Sequence, residues 1–325
     1  MQATVSESPQ TPRIVRLLRR VRPGDFLFRV VVTAFGTSVL VLAALMLWQL
    51  AFESRNSINA FGWGFLTGTT WDPVTRTFGA APAIYGTLVS SVIAVALAVP
   101  VSLGAAIYLS EMAPPWLRHP ASFLVESLAA IPSVVFGLWG IYVLVPWIRS
   151  PVERVLGDRF GFLPLFTGPP FGVGMLAAGV ILAIMILPII TAIARDSLLA
   201  VPSSQREAML ALGATKWEMI SRAVLQYCRS GLVGAVLLGL GRALGETMAV
   251  TMVIGKTYDI NTSLFAPAST AASQIASEFS EASFSLYTSA LMELALILLG
   301  ITLLVNVAAR LLVWRIARSP EAIRE

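Results

Sequence analysis

Arg242 and Glu246 are the residues of this 325-residue chain whose types and spacing best fit chemistry. They lie in GLVGAVLLGLGRALGETMAVTMVIG, an otherwise apolar run over 231–255. A charge at mid-membrane costs about 2.5–3.5 kcal/mol on insertion scales, so such residues face a cavity or a partner. On a continuous helix Glu246 falls one turn after Arg242 and points the same way. Arg before Glu at i,i+4 is the poorer order for helix support, so local stabilisation explains the pair badly. The expectation is that Arg242 attracts an anion in a translocation path, its planar fork suiting an oxyanion. Glu246 would orient the fork and accept a hydrogen from a protonated oxyanion. Phosphate near neutral pH still carries that hydrogen and sulfate does not, so a carboxylate there penalises sulfate. Thr247 is placed on the same path. The competing reading is a buried ion pair that locks helix packing. Gly239, Gly241 and Gly245 flank the pair and would allow close approach by a neighbour.

Other motifs carry no chemistry. Gly255-Lys256-Thr257 would end a phosphate-binding loop only with Gly at position 250, which is Val250. Gly239-Leu240-Gly241 fails as a dinucleotide fingerprint because position 244 is Leu244. With a single histidine, His119, and a single cysteine, Cys228, no metal site or nucleophile–base set can be assembled. His119 reads as interfacial and Cys228 as a structural thiol. No cofactor is expected in this chain, and an energy-coupled role would need its ATP site on another.

The elements that must hold Arg242 are membrane helices. Hydrophobic residues make up 56% of the chain and charged residues 13%, against about 45–50% and about 25% in soluble domains. A spanning helix needs about 20 mainly apolar residues, and six segments qualify: roughly 26–52, 83–108, 121–147, 172–194, 231–255 and 286–314. Pro100, Pro132 and Pro188 fall inside three of them, where bundle neighbours tolerate a kink. Glu126 and Glu293 lie near span ends, where they can reach the headgroups. The expected fold is all-α and integral to the membrane: a tail at 1–25, with an interfacial or disordered piece at 13–22, a membrane domain at 26–316 and a tail at 317–325. The first apolar run is too long for a cleaved signal. With the N-terminus inside, fifteen Lys and Arg fall on cytoplasmic segments and six on outer loops. That bias puts both termini in the cytoplasm. It also accounts for the net charge of +5 without nucleic acid.

Three loops stand out. The outer loop at 53–82 holds Phe61, Trp63, Phe65 and Trp71 and is expected to pack on the bundle or dock an external protein. The one at 256–285 allows a short external helix. The inner loop at 195–230 reads RDSLLAVPSSQREAMLALGATKWEMISRAVLQYCRS. Pro202 breaks the chain, Ser204 and Glu207 have capping-box spacing, and Gly213 suits a left-handed cap. A helix over about 205–212 and a second from Thr215 make a compact knob, fit for a groove on another protein or for the lipid surface.

REAMLALGATKWEMI resembles the EAA loop of ABC-transporter permeases. Glu207, Ala208, Gly213 and Leu225 match its pattern, whereas Met209, Ala223 and Gln226 depart from it. FLTGTTWDPV, IYGTLVSSVIAVALAVPVSLGAAIYLSE, LAAIPSVVFGLWG and LGRALGETMAVTMVIG are similar to the phosphate-import permeases, and TMAVTMV favours the PstC type over the PstA type. The resemblance implies a type I importer of the bacterial plasma membrane. This chain would be a transport subunit and not an enzyme, paired with a homologous PstA-type permease. Two partner ATPases would bind ATP and Mg, and an extracytoplasmic phosphate-binding protein would deliver the substrate. Glu207, Ala208, Leu212, Gly213, Ala214 and Thr215 would seat in an ATPase groove, and Arg242 and Glu246 match the family's charged pair. Alternatives are the same architecture carrying sulfate or molybdate, a secondary transporter, and a membrane enzyme or sensor. The inverted repeats and broken helix pairs of secondary transporters are not seen in the sequence.

Overall fold

The computed structural model describes residues 23–317. The stretch at 13–22 and most of both tails lie outside the described residues. The chain divides into two compact units, Met1–Phe52 and Glu53–Glu325.

The first unit is built on helix α1 (Pro23–Glu53), 31 residues with a continuous apolar character. Its large side chains, Phe35 and Leu40 among them, are exposed, as suits a helix whose solvent is hydrocarbon.

The second unit begins with two short helices, α2 (Arg55–Phe61) and α3 (Gly64–Thr67), and a small hairpin of β1 (Trp71–Asp72) and β2 (Thr77–Phe78). Asp72 closes the hairpin turn by accepting from the Val74 amide at 2.9 Å and the Thr75 hydroxyl at 2.8 Å. These bonds, the Thr75 hydroxyl's foremost, hold its carboxyl below the ordinary range. Phe61, Phe65, Trp71 and Phe78 pack with Tyr258, Phe284 and Tyr287 in one aromatic cluster. The aromatic residues of this loop therefore pack on the bundle, except Trp63, which is 87% exposed. Tyr258 seals the cluster by donating to the Gly79 carbonyl at 2.6 Å, and burial pushes its phenol well above the usual range.

The bundle follows. Helix α4 (Ala81–Ile107) runs on through a π turn at Tyr108–Met112. Helix α5 (Pro115–Ala129) is separated by Pro132 from α6 (Ser133–Trp139). A π turn at Gly140–Leu144, α7 (Val145–Trp147), a second π turn at Ile148–Val152 and α8 (Glu153–Phe160) continue α6 in one rod. Then come α9 (Met175–Leu199), α10 (Ser203–Ala211) and α11 (Lys216–Glu218). A π turn at Met219–Val224 joins α11 to α12 (Leu225–Gly245), and α13 (Met248–Val253), α14 (Ala271–Glu278) and α15 (Ser285–Ala317) complete the chain. Helix α14 occupies the 256–285 loop, where a short helix was foreseen.

Six helices among the described residues are long and apolar enough to span: Leu27–Glu53, Ala81–Met112, Ser133–Phe160, Met175–Leu199, Lys216–Gly245 and Ser285–Leu311. Two differ from the sequence expectation. The third begins after Pro132, not before it, because Pro132 is extended and caps α6 instead of kinking a longer helix. The fifth starts at Lys216 and stops at Gly245. Pro100 and Pro188 do lie inside α4 and α9.

Helix α9 is the core. It is apolar on every face as far as Ala194, and Ile181, Leu182, Ile186 and Ile190 are fully buried. It packs most heavily on α4 and then on α12. Small residues set these distances: a Cβ at Gly179 would collide with Ile93, and one at Gly239 with Ile190. Glu293, expected at the headgroups, is only 6% exposed within α15. Glu126 pairs with Arg195 of α9 at 2.9 Å, with its side chain 53% exposed.

Candidate functional site

Two places could do work: the α10–α11 knob and the end of α12.

The knob is a helix–glycine–helix unit. Gly213 has a φ of 81°, a conformation that costs an L side chain about 1–2 kcal/mol. Its amide bonds the Leu210 carbonyl at 3.0 Å and the Ala214 amide bonds the Met209 carbonyl at 3.1 Å. These two bonds form a Schellman cap that satisfies the last carbonyls of α10. The next helix opens on a capping box. Glu218 donates its amide to the Thr215 hydroxyl at 3.3 Å, and the Thr215 amide reaches the Glu218 carboxylate at 2.9 Å. The chain thus turns sharply between two capped helices. The capping box expected of Ser204 and Glu207 does not form. Pro202 itself is the cap residue, so Ser204 already lies within the first turn.

What the knob presents follows from this turn. Leu212 is 84% exposed, and Leu210 and Trp217 are exposed beside it. Glu207, Ala208, Gly213 and Thr215 are also exposed, while Ala214 is half-buried. Large apolar side chains at the tip of a short polar-flanked helix mark a contact surface. Met209 turns the other way and packs on the core.

An ion pair unforeseen from sequence anchors α10. The Arg206 guanidinium meets Glu111 with both arms, Nη2 to Oε1 at 2.7 Å and Nε to Oε2 at 3.2 Å. Nη2 also donates to the Leu198 carbonyl at 2.8 Å, and Nη1 to the Val201 carbonyl. The Glu111 side chain is 7% exposed. No spacing rule announces a pair 95 residues apart.

At the end of α12 the structure corrects the expected register. Arg242 lies in the last turn of α12, favourable for a cation at the negative end of the helix dipole. Glu246 is not one helical turn further on. Its backbone is extended (ψ 128°), and a new helix, α13, begins after Thr247. Arg242 and Glu246 form no ion pair. The Glu246 carboxylate instead faces forward to the Ala249 amide at 3.4 Å, and the Thr247 hydroxyl donates to the Gly245 carbonyl at 3.3 Å. The Arg242 side chain makes no hydrogen bond or ion pair with any described residue, and it is exposed. Within this chain the two side chains therefore do not form a buried packing pair. Of the three flanking glycines only Gly239 is in tight contact, and Gly245 has open space where a Cβ would stand.

Comparison with known proteins gives this geometry a context. Residues 98–318 match the family of binding-protein-dependent transport system inner membrane components. The phosphate transport system permease protein PstC of Pasteurella multocida is 47% identical over 298 residues, covering 90% of this chain and 93% of that protein. PstC 2 of Mycobacterium tuberculosis is 41% identical over 315 residues, covering 94% and 97%. Among solved structures, a bacterial alginate ABC transporter in complex with its pentasaccharide-bound periplasmic protein superposes with a TM-score of 0.60 at 16% identity. That likeness covers 93% of this chain and 99% of the other. An inward-facing MetNI methionine ABC transporter gives 0.56 at 18% identity, covering 77% and 100%. At those identities the structures speak for the fold alone, which is that of ABC-importer permeases. On its sequence relatives, the chain belongs to the binding-protein-dependent transport system inner membrane components, among their PstC-type permeases.

Proposed function

We propose that this chain is one permease half of an ATP-driven importer of inorganic phosphate. The observation that carries the reading is Arg242. It stands exposed and unpartnered among the described residues, in a spanning helix, where a face turned to hydrocarbon would be costly. That face is accounted for if a homologous permease subunit, of the PstA type, covers it and the anion path runs between them. The names of the relatives at 41–47% identity support phosphate as the anion.

The remaining parts take their places around this path. Both termini and the knob face the cytoplasm, as the Lys and Arg bias requires. Glu207, Ala208, Leu212, Gly213, Ala214 and Thr215 seat in a groove of one of two ATPase subunits, where ATP and Mg are bound. A phosphate-binding protein docks on the opposite face and releases its anion into the path, and Arg242, Glu246 and Thr247 meet it there. Closure of the ATPases on ATP moves the knob and opens the bundle outward; hydrolysis resets it.

The test is to purify the native complex, identify its subunits and measure ATP hydrolysis with the binding protein loaded or empty. Stimulation by phosphate with little response to sulfate supports the reading. Preferential stimulation by sulfate or molybdate would transfer the architecture to that anion. A complex without an ATP-hydrolysing subunit would overturn it.

A further inference from the structure

We infer that Arg206 is a positioning residue that couples the knob to two membrane helices, so that a push on α10 moves α4 and α9 together. The inference rests on the knob being the ATPase contact.

Helix α10 is short and mostly exposed. Its principal packing neighbour is the π turn at Met219–Val224, the base of its own following helix. Left to that contact and to the packing of Met209 on the core, α10 would have no polar tie to α4 or α9 and would swing with the start of α12. Arg206 supplies the missing ties. Among the described residues, it makes the only side-chain hydrogen bonds from α10 to α9 or to the extension of α4.

Two of its three acceptors are informative; the third, the Val201 carbonyl, lies in the turn between α9 and α10. Glu111 sits in the π turn that extends α4, and its carboxylate is nearly sealed from solvent. Leu198 lies in the last turn of α9, the most buried spanning helix among the described residues, and its carbonyl, which the Val201 amide reaches only at 3.3 Å, takes the Arg206 donor at 2.8 Å. One guanidinium thus holds a carboxylate bidentately and crosslinks the end of α9 to the end of α4. Only a planar fork with five donors serves both, and an ammonium in its place keeps charge without the geometry. Helices α4 and α9 are also the most extensively packed pair in the bundle. Force delivered at Arg206 therefore enters a rigid unit and does not dissipate in a loop.

The experiment compares Arg206→Met with wild type in the assembled complex. It measures phosphate import into proteoliposomes per ATP hydrolysed, with loaded binding protein present. The variant should still hydrolyse ATP, but stimulation by the loaded binding protein should be lost and phosphate moved per ATP should fall at least tenfold. Arg206→Lys should restore part of the coupling. If Arg206→Met does not assemble, Glu111→Gln carries the test, since it keeps the volume and one acceptor and should lower the same ratio several-fold. An assembled Arg206→Met or Glu111→Gln complex with a wild-type transport-to-ATP ratio would overturn the assignment. Absence of phosphate-stimulated hydrolysis in the wild-type complex would instead overturn the transport reading beneath it.

Discussion

Arg242 closes the last turn of α12, and Glu246, four residues later, stands beyond that turn on extended backbone with its carboxylate facing α13. The two side chains are neighbours in sequence but do not neutralise one another. A guanidinium left unpaired in a spanning helix has its charge available for a ligand. Its removal should therefore cost substrate binding and not folding.

Arg242→Gln should leave the complex assembled and lower phosphate uptake by one to two orders of magnitude. A hydrogen bond to a charged group contributes about 1.5–3 kcal/mol, which corresponds to roughly that loss. Arg242→Lys should retain part of the activity, because the charge persists while the fork is lost. Uptake normalised to assembled complex is the measurement. Wild-type uptake by the Gln variant would remove Arg242 from the path.

Glu246 predicts a different phenotype. Because it does not hold the Arg242 fork, Glu246→Gln should spare phosphate import. What the variant changes is the penalty on an anion with no hydrogen to offer, so sulfate should become a better competitor of phosphate uptake. Competition assays at fixed phosphate and rising sulfate read this directly. An unaltered sulfate inhibition curve, with uptake intact, would discard Glu246 as the discriminating group.

The knob's tip makes a third prediction. Leu212 is exposed and touches little of its own chain, so Leu212→Asp should not disturb the fold of this subunit. If it anchors the ATPase contact, truncating an interface anchor costs about 2 kcal/mol or more, roughly thirtyfold in affinity. Copurification of the ATPase should fall accordingly, while the paired permease remains bound.

How much of this was legible in the sequence depended on the range of the interaction. Gly213 and Thr215 announced their cap and helix start because both act through bonds only a few residues away. Ser204 and Glu207 had the spacing of a cap but not its place, since Pro202 caps the helix two residues earlier than that box requires. The break at Glu246 had no proline to mark it, and Gly245 alone is tolerated in membrane helices. Pro132 was visible, yet whether it kinks or divides a helix depends on neighbours the sequence does not display. The Arg206–Glu111 pair was the least legible. Its partners meet only because the first turn of α10 lies beside the last turns of α4 and α9, a consequence of the whole bundle.

Gly213 allows the sharpest separation of backbone from contact. A Cβ there meets nothing within 4 Å, so Gly213→Ala introduces no clash inside this chain. Its cost is conformational, about 1–2 kcal/mol for forcing an L residue to positive φ. That cost falls on the cap, which loses the bonds to Leu210 and Met209 if the residue relaxes. Amide hydrogen exchange at Gly213→Ala should therefore quicken in α10 alone, by up to roughly thirtyfold, with α9 and α12 unchanged. Gly213→Val adds bulk where the ATPase groove would close and should lose coupling beyond what the backbone term explains. Equal effects of Ala and Val on transport would mean that the groove does not touch this position, and Gly213 would then be a cap residue only.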